Sequence, residues 1–146
     1  MGNDIERALK LFIVLSRASK VVLEESNQLL DDYNLNPSEF AVLELLYHKG
    51  KQPIQKIGQK ILLRSGSMTY VVDKLEGRGL LERVTSLEDK RIIYIVITPT
   101  GEELINDIFP KHEQHIKKMM SGLTVDEQNQ AIDLLKKLGL SVKNLS

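Results

Sequence analysis

A mainly α-helical fold carrying one β-hairpin follows from three observations along the 146 residues. Apolar side chains recur at three- and four-residue intervals over most of the chain. The period shortens once, between residues 80 and 98, where β-branched and apolar residues crowd into two short runs. Caps and breakers at Asn36-Pro37, Gly50, Pro53, Gly77, Thr98-Pro99 and Thr124 divide the helical text into six pieces. The expected order is four helices, a hairpin and two helices. A chain of this length can bury about 68–70% of its unfolded surface, enough for a core without staples.

Residues 4–33 read as one long helix free of Pro and Gly. Ile5, Leu9, Phe12, Val22, Leu29 and Leu30 are among its apolar positions, and residues 11–15 are apolar all round. A helix without one solvent face is usually buried from several sides, which at an N-terminus points to a partner subunit. Asn36-Pro37-Ser38-Glu39 opens the second helix: Asn can cap, Pro suits the first helical position, and Glu stands three residues after the cap. That helix runs through Phe40, Leu43 and Leu46 to Gly50. Pro53 opens a short third helix, with Ile54, Ile57 and Ile61 at helical spacing. The fourth covers residues 65–76. Met68, Val71, Val72 and Leu75 point inward, which leaves Gly66, Ser67, Thr69, Tyr70, Asp73 and Lys74 outside. Residues 80–85 and 91–98 form the hairpin around a polar tip at 86–90. Thr98-Pro99 caps a fifth helix running to about residue 121, in which Pro110 should produce a kink or break. Thr124-Val125-Asp126-Glu127 is a capping box for the sixth, whose apolar stripe is Ala131, Ile132, Leu135 and Leu138.

Composition narrows the function classes. Cys is absent, so no disulfide, thiolate zinc site or cysteine redox switch is available. There is no Gly-rich phosphate loop, no His-Glu-x-x-His, and no acid–base partner for the serines, so neither an enzyme nor a cofactor is expected. The five-residue apolar run at 11–15 is followed by Arg17 and Lys20. It is too short for a membrane span and unlike a signal peptide, so the chain reads as soluble and cytoplasmic. Twenty basic and twenty acidic side chains cancel, but unevenly. Residues 1–33 carry 4 basic and 6 acidic groups, residues 34–101 carry 10 and 7, and residues 102–146 carry 6 and 7. The middle is basic and the ends are acidic.

Two short helices, a helix with a small polar outer face and a two-stranded ribbon make the layout of a winged helix-turn-helix. The physics suits double-stranded DNA. A major groove about 12 Å wide admits one helix, and short side chains let its backbone approach the base edges. Ser65, Ser67, Thr69, Tyr70 and Lys74 are therefore the expected groove contacts. A hairpin tip bearing Lys90 and Arg91 can reach the neighbouring minor groove, where narrow A·T tracts attract cations. Lys56, Lys60 and Arg64 could bind phosphates or could simply keep the surface soluble.

The order of elements, with Ser67-Met68-Thr69-Tyr70-Val71-Val72-Asp73-Lys74-Leu75-Glu76-Gly77-Arg78-Gly79-Leu80-Leu81-Glu82-Arg83, then Glu88-Asp89-Lys90-Arg91 and Ile97-Thr98-Pro99-Thr100-Gly101, resembles the MarR (multiple antibiotic resistance regulator) family. The resemblance implies a homodimer in which the first and last helices interlock. Residues 1–33 and 102–146 would then be dimerisation helices around a DNA-binding lobe at 34–101, all within one structural domain. It implies a recognition helix at 65–76 and a wing near 86–91. In the family pattern the arginine matching Arg91 enters the minor groove and the aspartate matching Asp89 holds it. The arginine matching Arg83 supports the wing and the DNA backbone. Tyr70 departs from the pattern, standing where many relatives carry a basic residue. A symmetric dimer predicts a palindromic operator with half-sites about one helical turn, 34–36 Å, apart. Family members are most often repressors, and the resemblance suggests a small aromatic, phenolic or quinone-like effector bound between the dimerisation helices and the DNA-binding lobe. Phe12, Phe40, Tyr47, His48 and Phe109 are the candidate lining. The absence of Cys excludes the peroxide-sensing branch.

Two other readings compete. The winged domain could be a protein-interaction module that binds no DNA, for which the zero net charge speaks. A metal-responsive regulator would use His112 and His115, spaced i, i+3, although three protein ligands are normally needed, so no metal site is expected.

Overall fold

Local capping chemistry sets several helix boundaries in the computed structural model, which describes residues 2–60 and 68–145. The elements are α1 (Gly2–Asp31), α2 (Pro37–Lys49), β1 (Gln52–Pro53), α3 (Ile54–Lys60), α4 (Met68–Gly77), β2 (Leu81–Thr85), β3 (Ile93–Ile97), α5 (Pro99–Met120) and α6 (Val125–Lys143). The result is a mainly helical winged-helix fold with a small antiparallel sheet. The expected start of the fourth helix, with Ser65, Gly66 and Ser67, lies outside the described residues, as do Ile61 and Arg64.

Helix α1 ends in a left-handed residue, Asn34, at φ 55°. The Leu35 N–H reaches back to the Leu30 carbonyl and the Asn34 N–H to that of Asp31, the bonding pattern of a Schellman turn. Asn36 then caps α2: its side chain accepts from the Glu39 N–H at 2.8 Å, and the Glu39 carboxylate accepts from the Asn36 N–H at 2.9 Å. Asn36→Ala removes half of this reciprocal cap. It is expected to cost about 1 kcal/mol, measured as a lower thermal midpoint at fixed protein concentration.

The hairpin has the expected place and pairs β2 with β3 in the register Leu81↔Ile97, Arg83↔Ile95 and Thr85↔Ile93. Alternation puts Leu81 and Ile95 in the core. A third strand, β1, pairs with β3 through Gln52↔Ile95 and Pro53↔Tyr94, giving the order β1-β3-β2. Pro53 thus sits in a two-residue edge strand and does not open α3. A proline is tolerated at a sheet edge, and two residues carry no periodicity from which a strand could be read.

The two Gly-rich and Thr-rich joints around the wing dock on one another. Thr98 caps α5, its hydroxyl accepting from the Gly101 N–H at 3.1 Å and donating to the Gly79 carbonyl at 2.6 Å. The Thr98 N–H also donates to the Leu80 carbonyl. Of the expected kink or break at Pro110, the break does not occur: the helix is continuous from Pro99 to Met120. Buried Ile105 and Ile108 precede the proline, and His112 behind it stacks on Phe40 and Phe109, so packing holds both sides of the missing backbone bond.

The chain packs as two units, residues 1–112 and 113–146. The core of the first is Val42, Leu43 and Leu46 of α2, Ile57 of α3, Val72 and Leu75 of α4, Leu81 and Ile95 of the sheet, and Ile105 and Ile108 of α5. In this unit α1 leaves Leu9 56% and Phe12 68% exposed, so its N-terminal apolar face is bare among the described residues of the unit. In the second unit, the Gln128 amide donates to the Met120 and Leu123 carbonyls, and the Thr124–Glu127 capping box starts α6 as expected. Ile132 and Leu135 of the α6 stripe are likewise exposed.

Candidate nucleic-acid interface

Helix α4 divides its residues as the apolar spacing requires. Val71, Val72 and Leu75 are buried, Met68 packs on the core, and Thr69, Tyr70, Asp73 and Lys74 are exposed. The Lys74 ammonium lies 5.7 Å from the centre of the Tyr70 ring, which gives this face an aromatic platform with a cation over it. Thr69, Tyr70 and Lys74 therefore share one accessible surface. The predicted contacts Ser65 and Ser67 lie outside the described residues.

The wing tip is built by short polar contacts. The Ser86 hydroxyl accepts from the backbone N–H groups of Glu88 and Asp89, and the Ser86 N–H closes on the Ile92 carbonyl at 2.9 Å. Within this turn Asp89 accepts three bonds from Arg91: its N–H at 3.0 Å, its Nε at 3.1 Å and its Nη2 at 3.3 Å. Arg91 is otherwise fully out in solvent, its side chain 91% exposed. The carboxylate therefore orients the guanidinium while leaving it free to meet another anion. Lys90 is exposed beside it.

These bonds hold the Asp89 carboxyl below the ordinary carboxylate range, first through the Arg91 side chain and then through its backbone N–H. The tip gains from ionised Asp89 above the usual value of about 3.9, and loses that gain as the pH falls through the lowered value. An NMR titration of the Asp89 carboxyl is expected to show a midpoint below about 3.9, which Arg91→Ala should move back toward that value.

Arg83 has a different position. From β2 it reaches across to α4, where Nη2 bonds Asp73 Oδ1 at 2.6 Å and Nη1 bonds Glu76 Oε1. Its own N–H donates to Glu76 Oε2 at 3.3 Å. The Asp73 hydrogen bond above all raises the Arg83 pKa. With both ends of the guanidinium engaged, Arg83 clamps the wing to the recognition-helix candidate. Sequence reasoning missed the two carboxylates of this clamp, although their spacing on α4, three residues apart, put both on one face.

The five pocket candidates separate. Tyr47, His48 and Phe109 come together, His48 lying 5.1 Å from Tyr47 and 5.0 Å from Phe109, centre to centre, and Phe40 joins them through His112. The Tyr47 hydroxyl donates to the Asn106 side-chain oxygen. Phe12 joins none of these ring pairs among the described residues. The group that sequence reasoning missed here is His112, whose ring lies 5.1 Å from Phe40 and 6.4 Å from Phe109. Its Nδ1 is buried without a hydrogen-bond partner. Among the described residues no group of three His, Cys, Asp or Glu side chains could hold a metal ion, and no helix is long and apolar enough to cross a membrane.

Comparison with known proteins gives the arrangement its context. Residues 35–93 match the MarR family. The chain is 53% identical over 138 residues to the HTH-type transcriptional regulator MhqR of Bacillus subtilis (strain 168), covering 94% of this chain and 95% of the relative. Among solved structures, Bordetella bronchiseptica BpsR, described as regulated in its DNA binding by 6-hydroxynicotinic acid, is similar with a TM-score of 0.75 at 25% identity, over 86% of this chain and 90% of that one. The organohalide-sensing regulator RdhR, in a 2,4-dichlorophenol-bound form, shares the fold with a TM-score of 0.82 at 19% identity, over 95% of this chain and 83% of that one.

Proposed function

The chain belongs to the MarR family of DNA-binding transcriptional regulators, and on that premise we propose that it is a ligand-responsive repressor that binds a palindromic operator as a homodimer. The observation that carries this reading is the pairing of two exposed, oriented elements in one lobe. Helix α4 offers Thr69, Tyr70 and Lys74, and the wing tip offers Arg91 held by Asp89, with Lys90 beside it. A helix in the major groove and a guanidinium in the adjacent minor groove together read more sequence than either does alone. The carboxylate clamp from Arg83 fixes the angle between them. The exposed apolar faces of α1 and α6 support a second copy as partner. In this scheme residues 1–33 and 102–146 pair the subunits, and residues 34–101 carry the reading head.

The effector in this proposal is a small aromatic, phenolic or quinone-like compound. It is supported by the ring cluster of Phe40, Tyr47, His48 and Phe109 and by the hydroxylated aromatic regulator of BpsR. Such a compound parts the rings, stacks between them, and favours a dimer whose recognition helices no longer match the operator. It shifts that equilibrium only by its differential affinity for the two states.

The test is fluorescence anisotropy on DNA from immediately upstream of the gene, against excess random DNA at several salt concentrations. Tight binding that survives competitor, with log affinity falling linearly in log salt, is expected. Binding at the random-DNA level there, and no sequence enriched by selection from random DNA, would overturn the reading in favour of a protein-interaction module.

A further inference from the structure

Residue Tyr33 touches three elements at once. Its backbone carbonyl, with that of Asn34, lies within the Schellman turn closing α1, where no helical N–H remains to bond it. Arg78, one residue past the end of α4, supplies the missing donors. Its Nη1 bonds the Asn34 carbonyl at 2.7 Å and its Nη2 the Tyr33 carbonyl at 3.0 Å. The side chain of Tyr33 is tied the other way. Its hydroxyl donates to Asp107 Oδ2 at 2.6 Å and accepts from Lys111 Nζ at 2.8 Å. Asp107 and Lys111 are one turn apart on α5 and also bond each other, at 3.4 Å. The Tyr33 hydroxyl is the main cause holding the Asp107 carboxyl below its ordinary range.

We propose that Arg78 and Tyr33 form a joint that sets the orientation of α4 relative to α1 and α5, making both positioning residues for DNA binding. This rests on the reading that α4 is the recognition helix of a dimer. The fork of an arginine suits two adjacent carbonyls, because its donors are planar and fixed; a lysine offers a single charged point. The left-handed Asn34 turns both carbonyls outside the helix, so the turn geometry and the fork require each other. Any shift of α5 pulls on the Tyr33 ring, and the same residue passes it to α4 through a backbone that cannot change length. The spacing between two recognition helices in a dimer is thereby coupled to the helices that pair the subunits.

Two operators serve as probes: one selected from random DNA by the wild-type protein, and the same sequence with one base pair inserted at its centre. Tyr33→Phe and Arg78→Ala are each expected to weaken binding to the selected operator by about tenfold, within the usual range of intersite coupling. They should also shrink the preference for that operator over the lengthened one. A variant that merely loses stability lowers the active fraction equally on both DNAs and leaves this ratio intact. Arg78→Lys keeps the charge and loses the fork, so it should resemble Arg78→Ala. The double variant should be no worse than the poorer single one, because both act through one turn. An unchanged preference ratio, full rescue by Arg78→Lys, or a salt slope reduced by about one in Arg78→Ala would overturn the joint; the last would make Arg78 a phosphate contact. Failure of the wild-type protein to select any operator would instead overturn the DNA reading, and the joint with it.

Discussion

Replacing Gly101 by alanine is expected to destabilise the protein by about 3 kcal/mol, which for a chain of this size lowers the thermal midpoint by roughly 10 °C. The sign is opposite to the usual one, since alanine normally improves a helix position by up to about 1 kcal/mol over glycine. Gly101 lies buried in the first turn of α5, where that turn presses against the strand entry at Leu80. A Cβ placed there would stand 2.1 Å from the Leu80 carbonyl oxygen and 2.7 Å from the Ile97 side chain. The first of these atoms is backbone and cannot rotate away. Relief requires the α5 cap to lift, which breaks the Thr98 contacts with Gly79 and Leu80. Gly58, with open space at its Cβ, is the matched control: Gly58→Ala should leave the midpoint unchanged or raise it. Equal behaviour of the two variants at the same protein concentration would contradict the close approach at Gly101.

Arg91→Ala is expected to reduce operator affinity by about 10- to 100-fold while leaving thermal stability nearly unchanged. The guanidinium is solvated and bonds only Asp89 within its own turn, so its removal takes little from the fold. In a narrow minor groove the same charge meets phosphates and base edges from both walls. Asp89→Ala should produce a smaller loss, because the arginine stays but is no longer aimed. Arg83→Ala makes a useful contrast. It leaves Asp73 and Glu76 as two unpaired carboxylates on the α4 face and frees the wing to move. Its affinity loss should therefore come with altered sequence preference, whereas that of Arg91→Ala should be greatest on operators with A·T-rich flanks. Unchanged operator affinity in Arg91→Ala would sink the wing assignment.

Much of this architecture was legible because each helix carries its own punctuation. Asn36 and Thr124 formed their capping boxes where the text placed them, and the inward set of α4 from Met68 to Leu75 was readable from spacing alone. The hairpin was legible because β-branched residues broke the helical period. What escaped was information held between distant residues. The strand β1 exists only because Ile95 and Tyr94 stand opposite Gln52 and Pro53. Pro110 reads as a kink or break because its local cost is visible in sequence, whereas the packing of Ile108 and His112 that keeps the helix continuous is not. The bonds from Arg78 to residues 44 and 45 positions earlier are likewise invisible to any local pattern, and of the Arg83 clamp only the spacing of its two carboxylates shows. His112 was read as a metal ligand to be weighed, and its aromatic neighbours became apparent only once α2 and α5 were packed.

The bare apolar faces of α1 and α6 make protein concentration itself a control variable. Members of this family act as dimers, and a chain that keeps residues such as Phe12 and Leu135 in water gains by pairing. On the proposed reading, the species able to span two half-sites grows as the square of the chain concentration below the dissociation constant of the pair. Promoter occupancy then responds to synthesis and dilution more steeply than a preassembled reader would allow. On the proposed reading, a cell that doubles in volume without making more of the protein halves the concentration of chains but cuts that of pairs about fourfold.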